Sequence, residues 1–410
     1  MAAVLLTGCV AAPEPVPEAL EPVGPGRLVI IGGGLQAGQG DVYRAFIDQR
    51  RGDGPILIVP IASAEPLRAA SRTTAALRAQ GVPYELVSTL PLAAVDDPKT
   101  EEDEALWADN ADDSALVSVI ETASAIWFTG GNQSRITDVL MDADGEDTPV
   151  LQAIRSAHAS GTVIGGSSAG AAMMSPTMIV SGRSLPSIYP SEAEDHEITL
   201  APGLGFFAHG VIDQHFGQRA RLGRLIAALF DERINPALGF GVDENTAFVV
   251  DADGRATVAG TGYVTLVDAR RAVRTETEQA IFVEGLSISL LSQGDVIDVR
   301  SLTITPAPYK STTIGSEYSQ VPRAQSAGVS SPLETMASII GQGLVDTSGV
   351  VNTSRVGLAE DGRGVRYTFR QTETSRGYWG RAPDGGGRYT VERIEMSVEP
   401  VRVLIEPLEP

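Results

Sequence analysis

The seven residues Gly165-Gly166-Ser167-Ser168-Ala169-Gly170-Ala171 constrain this chain more than any other stretch. They follow the apolar run Thr162-Val163-Ile164 and lead into the helix-like run Ala171-Ala172-Met173-Met174. Read as G-x-S-x-G, the motif spans Gly166 to Gly170 and sets Ser168 on a sharp strand-to-helix turn, the geometry of a nucleophile elbow. The flanking glycines supply unusual dihedrals and close backbone approach. A helix starting just past Ser168 aims free N–H groups and the positive end of its dipole at an oxyanion forming there. Packing turns and phosphate loops use the same glycines, so the motif alone leaves those readings open beside the nucleophile.

Around this turn the pattern alternates. Leu28–Ile31 reads as a buried strand ending in Gly32-Gly33-Gly34, Asp41–Arg51 as a helix, Pro55–Ile61 as a strand, Pro66–Gln80 as a helix and Tyr84–Val87 as a strand. Ile120–Ala123 closes a helix, Ala125–Phe128 is a strand ending at Gly130-Gly131, and Ser134–Met141 and Val150–Ala159 are helical. Short apolar strands alternating with helices predict a parallel, doubly wound α/β sheet. Sites on such sheets lie at the carboxyl ends of the strands, where Gly32–Gly34, Thr129–Gln133 and Gly165–Gly170 fall. Asp96–Asp113 carries nine Asp and Glu residues and reads as a solvated loop; Gly182–Gly203 is a polar insertion beside the elbow helix. Ala256–Val267 reads as one strand. Beyond about residue 300 a β-rich extension follows, with strands at Val365–Arg370 and Arg388–Ile405 and a helix-like Leu333–Ile340. The organisation predicted is a leader at residues 1–9, a Pro/Glu-rich linker at 10–26, an α/β domain at 27–299 and the β-rich module at 300–410.

The net charge of −21 disfavours nucleic acid and anionic membrane as partners. Cys9 is the one cysteine, which excludes a disulfide within the chain and a zinc–thiolate cluster. The context Leu6-Thr7-Gly8-Cys9 after apolar Ala2–Leu6 resembles a bacterial lipobox, and Ala11–Pro25 reads as an extended tether. The expected outcome is an exported chain, lipid-anchored at Cys9, whose only membrane attachment is that anchor. A leader with a chance cysteine is the alternative. No other segment is long and apolar enough to span a bilayer.

A second constellation begins at Ile212-Asp213-Gln214-His215-Phe216, the end of a strand-like run from Phe206. Gly217-Gln218-Arg219-Ala220-Arg221-Leu222-Gly223-Arg224 then opens a helix, with Leu222, Leu225, Ile226, Leu229 and Phe230 on one face. On a helix running from Gly217, Arg219 and Gln218 project near that apolar face, Arg224 falls opposite and Arg221 on the flank. An inward arginine needs a buried carboxylate or an anionic ligand. His215 is a candidate general base for Ser168; a strand-end histidine bonded to backbone is the bland alternative. Either Asp243 or Glu244 could orient that imidazole as the third member of a triad. The order serine, histidine, acid differs from the α/β-hydrolase order of serine, acid, histidine.

Taken together, these residues resemble the S51 serine peptidases, and within them the members that digest cyanophycin, over residues 27–270. The blocks that carry the resemblance are Gly32–Gly34, Pro60-Ile61-Ala62-Ser63, Phe128–Gln133, Gly165–Ala171, Asp213–Leu225 and Gly241–Ala247. Ser167 stands where the family usually has threonine. The resemblance implies a flavodoxin-like α/β fold related to class I glutamine amidotransferases, mostly parallel, here with the β-rich extension added. It implies Ser168 as nucleophile, His215 as base, Glu244 as the orienting acid, and the N–H groups of Gly131 and Ala169 as the oxyanion hole. Gln133, Asp213, Gln214, Arg219, Arg221 and Arg224 match positions that line or support the substrate pocket. The implied substrate is multi-L-arginyl-poly-L-aspartate (cyanophycin), released as β-Asp-Arg dipeptides through an acyl-enzyme; an aspartyl or isoaspartyl dipeptide substrate and a silent polymer-binding lipoprotein are the alternatives. No metal and no cofactor are implied. Polymer binding, covering the catalytic domain and homodimerisation are the roles open to the tail.

Overall fold

The computed structural model describes residues 26–189, 198–277, 280–320, 334–359 and 361–404. Cys9, the proposed tether up to residue 25, and His196 lie outside them. Among the described residues, no helix is long and apolar enough to cross a membrane.

The first sheet is built on parallel strands β1 (Leu28–Ile31), β2 (Ile56–Val59), β3 (Val87–Thr89), β4 (Ala125–Phe128) and β5 (Val163–Ser167), in the order β3-β2-β4-β5-β1. Alternate residues of each strand face different cores. Leu28, Ile30, Leu57, Val59, Ile126 and Phe128 join one cluster with Ile120, Ile136, Val150 and Ile154, from helices α3 (Ser114–Glu121), α4 (Ser134–Leu140) and α5 (Pro149–Ala159). Val29, Ile31, Ile56, Ile58 and Trp127 join the other with Val42, Phe46, Ala70 and Leu77, from helices α1 (Gly40–Ile47) and α2 (Pro66–Ala79). Burial on both faces is why β1, β2 and β4 are apolar at every position, whereas the edge strand β3 exposes Ser88 and Thr89.

The chain then turns antiparallel. The short helix α6 (Ala169–Ala172) follows the elbow, and β6 (Thr177–Ser181) pairs with β7 (Thr199–Pro202) around α7 (Ser184–Ile188). A second sheet starts with β8 (Val211–Gln214), parallel to β9 (Leu238–Val242), with helix α8 (Leu222–Ala228) between them. Strands β10 (Thr246–Val250) and β11 (Arg255–Gly260) return to the first sheet beside β1. Strand β12 (Tyr263–Asp268) pairs with β9 in the second sheet. The run Ala256–Val267, expected as one strand, is therefore two strands in different sheets. Gly260 makes the crossing at φ +99°, where a Cβ would stand 2.2 Å from the Asn245 carbonyl oxygen. Phe240 of β9 and Phe248 of β10 stack 5.5 Å apart, with Phe207 edge-on to both, and this aromatic group joins the two sheets.

The remaining strands are β13 (Val273–Glu276), β14 (Ile281–Ser292), β15 (Val296–Asp298), β16 (Thr303–Thr305), β17 (Lys310–Thr312), β18 (Asn352–Leu358), β19 (Arg363–Arg370), β20 (Arg376–Arg381) and β21 (Gly387–Arg402). Strands β15 and β16 finish the first sheet. Strands β17 to β21 extend the second by way of β21 on β14, so the tail continues a sheet begun by β8, β9 and β12. Its core, with Ile340, Val365, Phe369 and Ile394, is continuous with Leu225 and Ile226 of α8.

Other expectations shift at their edges. Tyr84–Leu86 is a 3₁₀ turn, and the strand is Val87–Thr89. The acidic stretch folds: Glu104–Asp112 is 3₁₀-helical and Glu104 is fully buried, accepting the Asp97 N–H and the Thr100 hydroxyl. The run from Phe206 is a strand only over Val211–Gln214.

Candidate active site

Strand β5 carries the backbone straight into Ser168, which sits at φ 56° and ψ −108°. An L-residue there is strained, and the surroundings hold it. Ser168 N–H donates to the Ile31 carbonyl at 3.0 Å. A Cβ on Gly166 would come within 2.1 Å of the Gly170 carbonyl oxygen, and one on Gly170 within 2.5 Å of the Phe128 carbonyl oxygen. The motif's glycines are thus fixed by backbone-on-backbone contact. Helix α6 has only four residues, so local N–H groups rather than a long dipole face any anion at Ser168. Among the described residues the N–H groups of Ala169 and Gly131 have no acceptor. Gly131 lies in the turn after β4; at φ +152° it packs on Ala62, where a Cβ would be 1.9 Å from the carbonyl oxygen.

His215 follows β8 at φ 48° and donates its backbone N–H to Gly32 at 2.6 Å. Its Nε2 accepts the Ser168 Oγ–H at 2.8 Å, and its Nδ1–H donates to Glu244 Oε1 at 2.6 Å. A carboxylate only accepts, which assigns the proton to Nδ1 and frees Nε2 to receive one. Three side chains from the ends of β5, β8 and β9 thus form one chain of hydroxyl, imidazole and carboxylate. Burial lowers the His215 pKa; its hydrogen bond to Glu244 opposes this, and the charge of Arg219 lowers it further. The neutral imidazole, the form that can take a proton, is favoured.

Asp243, the other acid considered, does not reach the imidazole. Its carboxylate accepts the N–H groups of Gly217 at 2.8 Å and Tyr263 at 3.1 Å, and burial pushes its pKa up to about 6. Glu244 is held in turn by Gln218, whose side-chain oxygen accepts the Glu244 N–H at 2.9 Å. Nothing local in the sequence marks Gln218 as a support for the acid; only the three-dimensional turn brings it there.

The arginine block differs from the helical projection. Gly217–Arg221 is not helical, and α8 begins at Leu222. Asp243 ties down Gly217, and Ala220 adopts φ 49°, which breaks the phase. Arg219 and Gln218 are therefore exposed rather than inward-facing. Arg224, expected on the outer side, is buried and binds the buried Asp213 through both ends of its fork. Arg221 bonds the Gln214 carbonyl and side-chain oxygens at 2.5 and 2.7 Å, and burial lowers its pKa to about 10. Gln133 is buried and donates its amide to the carbonyls of Ile179 and Val180. Asp213, Gln214, Arg221, Arg224 and Gln133 thus form a satisfied layer below and beside the triad. Arg219 alone of the block presents a guanidinium with no partner among the described residues.

A strained serine on a strand-to-helix turn, joined to a carboxylate-oriented imidazole beside free N–H groups, defines a site built for nucleophilic hydrolysis. The chain belongs to peptidase family S51: the sequence model of that family matches residues 28–258. It is similar to the cyanophycinase of Nostoc sp. (strain PCC 7120), 34% identical over 210 residues, covering 49% of this chain and 66% of the relative. It is likewise 34% identical to the Synechococcus elongatus cyanophycinase over 200 residues, 47% of this chain and 58% of the relative. The matched stretch thus falls short of two thirds of these relatives' own length. Among solved structures, a peptidase from an acI-B1 Actinobacterium is similar at TM-score 0.45 and 21% identity, over 68% of this chain and 98% of that one.

Proposed function

We propose that this protein is a serine exopeptidase that hydrolyses cyanophycin to β-Asp-Arg dipeptides. The observation that carries it is the hydrogen-bonded chain from Ser168 through His215 to Glu244. Ser168 Oγ attacks the aspartyl carbonyl while His215 Nε2 takes its proton. The tetrahedral oxyanion is met by the N–H groups of Ala169 and Gly131, each such donor being worth about 2.7–4 kcal/mol. His215 returns the proton to the leaving nitrogen, and water, deprotonated by the same imidazole, releases the acyl group from Ser168. The substrate class is supported by the similarity to the two cyanophycinases and by the exposed Arg219 guanidinium, whose fork suits a carboxylate.

Incubating purified protein with cyanophycin and following dipeptides by mass spectrometry tests this. Ser168→Ala must abolish release. Turnover of β-Asp-Arg or Asp-X dipeptides without polymer cleavage would shift the substrate to an aspartyl dipeptide. Failure of a fluorophosphonate to label Ser168 in folded protein would favour the silent binding protein.

The same proposal takes the chain as exported and lipid-anchored through Cys9, and as able to pair as a dimer. Its motivation is the lipobox-like Leu6-Thr7-Gly8-Cys9. Metabolic labelling with a radiolabelled fatty acid, lost in Cys9→Ala, tests the anchor, and sedimentation of the soluble variant reads the oligomer.

A further inference from the structure

Helix α7 and Tyr189 lie between two parts of the chain that are remote in sequence. On one side is the tail. The Tyr189 hydroxyl shares its proton between the carbonyls of Gly364 on β19, at 2.7 Å, and Val401 on β21, at 2.9 Å. The Arg363 guanidinium sits over the Tyr189 ring, 5.5 Å from its centre. Ile188 is fully buried in the core that also holds Val365, Phe369 and Val398 of those strands.

On the other side is the turn that follows the base. Ser184 Oγ donates to the Ala220 carbonyl at 2.5 Å and accepts the N–H groups of Gly223 at 3.1 Å and Arg224 at 3.3 Å. A Cβ on Gly223 would stand 2.7 Å from the Tyr367 hydroxyl and 2.8 Å from Ser184 Cβ. Tail, helix and turn close on that one point.

The turn so held carries site residues. Arg219 N–H donates to the His215 carbonyl at 3.0 Å, and Gln218 receives the Glu244 N–H. Ala220, at φ 49°, is a non-glycine residue in the left-handed region, a conformation that persists only where neighbours over-determine it. The Ser184 bond to its carbonyl does so. Among the described residues the Arg219 side chain has no ion pair of its own, so its placement depends on the backbone beneath it.

We propose, resting on the function proposed above, that Ser184 and Tyr189 are positioning residues: through them the C-terminal strands fix the Gly217–Arg224 turn so that Arg219 meets the carboxylate of the substrate beside Ser168. The tail is thereby a buttress of the substrate site.

The test uses the full chain with Ser184→Ala and, as the milder change that keeps the ring, Tyr189→Phe. In Ser184→Ala, KM for cyanophycin should rise about three- to tenfold, the effect of one lost hydrogen bond, while kcat stays within about twofold. Labelling of Ser168 by a small uncharged fluorophosphonate should also stay within about twofold, since that probe does not use Arg219. Arg219→Ala should cost less in the Ser184→Ala background than alone, the signature of coupled residues. Amide exchange in residues 217–224 should quicken in both variants while that of 163–168 is unchanged, a readout that needs no substrate. Unchanged exchange in the turn overturns the inference. So do labelling that falls in parallel with kcat/KM and strictly additive effects of the two substitutions. A wild-type protein that leaves cyanophycin intact would overturn the substrate assignment, and the exchange measurement would still decide whether the tail holds this turn.

Discussion

A Cβ on Gly33 would stand 2.4 Å from Nε2 of His215. The glycine turn after β1, nearly two hundred residues before His215 in sequence, is thus what leaves room for the imidazole. The next residue repeats the relation: a Cβ on Gly34 would be 2.4 Å from the Glu244 carboxylate. Both glycines have positive φ, +98° and +55°, so a side chain would strain the backbone as well as collide.

Gly33→Ala should therefore displace the base without unfolding the sheet. General-base catalysis is worth about 10²–10⁴-fold, and activity should fall by that amount. Fluorophosphonate labelling of Ser168 read beside far-UV circular dichroism checks this. Labelling at the wild-type rate would show that the imidazole tolerates a methyl group at that contact.

Glu244→Gln should keep the geometry and lose the chemistry. The amide offers an N–H where Nδ1–H needs an acceptor, which favours the wrong tautomer; the corresponding change in serine proteases costs about 10⁴-fold in kcat. Steady-state kinetics of the variant measure it. A loss under about tenfold would mean that Gln218 and the burial of His215 hold the tautomer by themselves.

The pH dependence follows from the His215 environment. Burial, then Arg219, lower its pKa below the ordinary 6.5, and Glu244 opposes them. In the proposed mechanism His215 takes the proton when neutral, so kcat/KM should fall as pH drops through a midpoint below 6.5. Arg219→Gln removes a cation that disfavours the imidazolium, and the midpoint should move to higher pH. Glu244→Gln removes a group that favours it, and the midpoint should move to lower pH. Opposite shifts in the two pH profiles are the outcome expected; a shift of the same sign in both would break the assignment.

Strands β1 and β4 were legible because each buries both faces, which writes an unbroken apolar run closed by a glycine turn; the edge strand β3, with Ser88 and Thr89 exposed, carries no such run. The elbow was legible because Gly166 and Gly170 meet backbone atoms that leave no alternative residue. The direction of Arg219 was not. A helical phase counted from Gly217 misplaces it, because the helix starts at Leu222, after Asp243 captures the Gly217 N–H and Ala220 turns left-handed. Both causes are tertiary and leave no local signal. The split of Ala256–Val267 between two sheets was hidden for the same reason: Thr261-Gly262 is short, and only the partners on either side, Thr246 and Val242, distinguish the strands. The tail's attachment to β14 depends on pairing between residues a hundred positions apart, beyond the reach of any local periodicity.

Lys310, one of two lysines in the chain, forms a buried ion pair with Asp295. Its side chain and that of Asp295 are fully buried, and its ammonium lies 2.7 Å from both Asp295 oxygens and 2.8 Å from the hydroxyls of Ser292 and Thr390. Asp295 also accepts the N–H groups of Ser292 and Ala307 and the Thr390 hydroxyl. This cluster pins β14, the segment entering β17 and β21 to one another, just before the chain enters β15 of the first sheet. Burial lowers the Lys310 pKa and Asp295 opposes it. Removing only the cation leaves a buried carboxylate uncompensated, so Lys310→Met should destabilise the fold by about 3–5 kcal/mol. Replacing both partners, as in Lys310→Met with Asp295→Leu, should restore part of that, because no unpaired charge is then left inside. Urea unfolding of the three proteins measures the difference. A single variant within about 1 kcal/mol of wild type would mean that the Ser292 and Ala307 N–H groups and the Thr390 hydroxyl suffice to hold the Asp295 carboxylate without the cation.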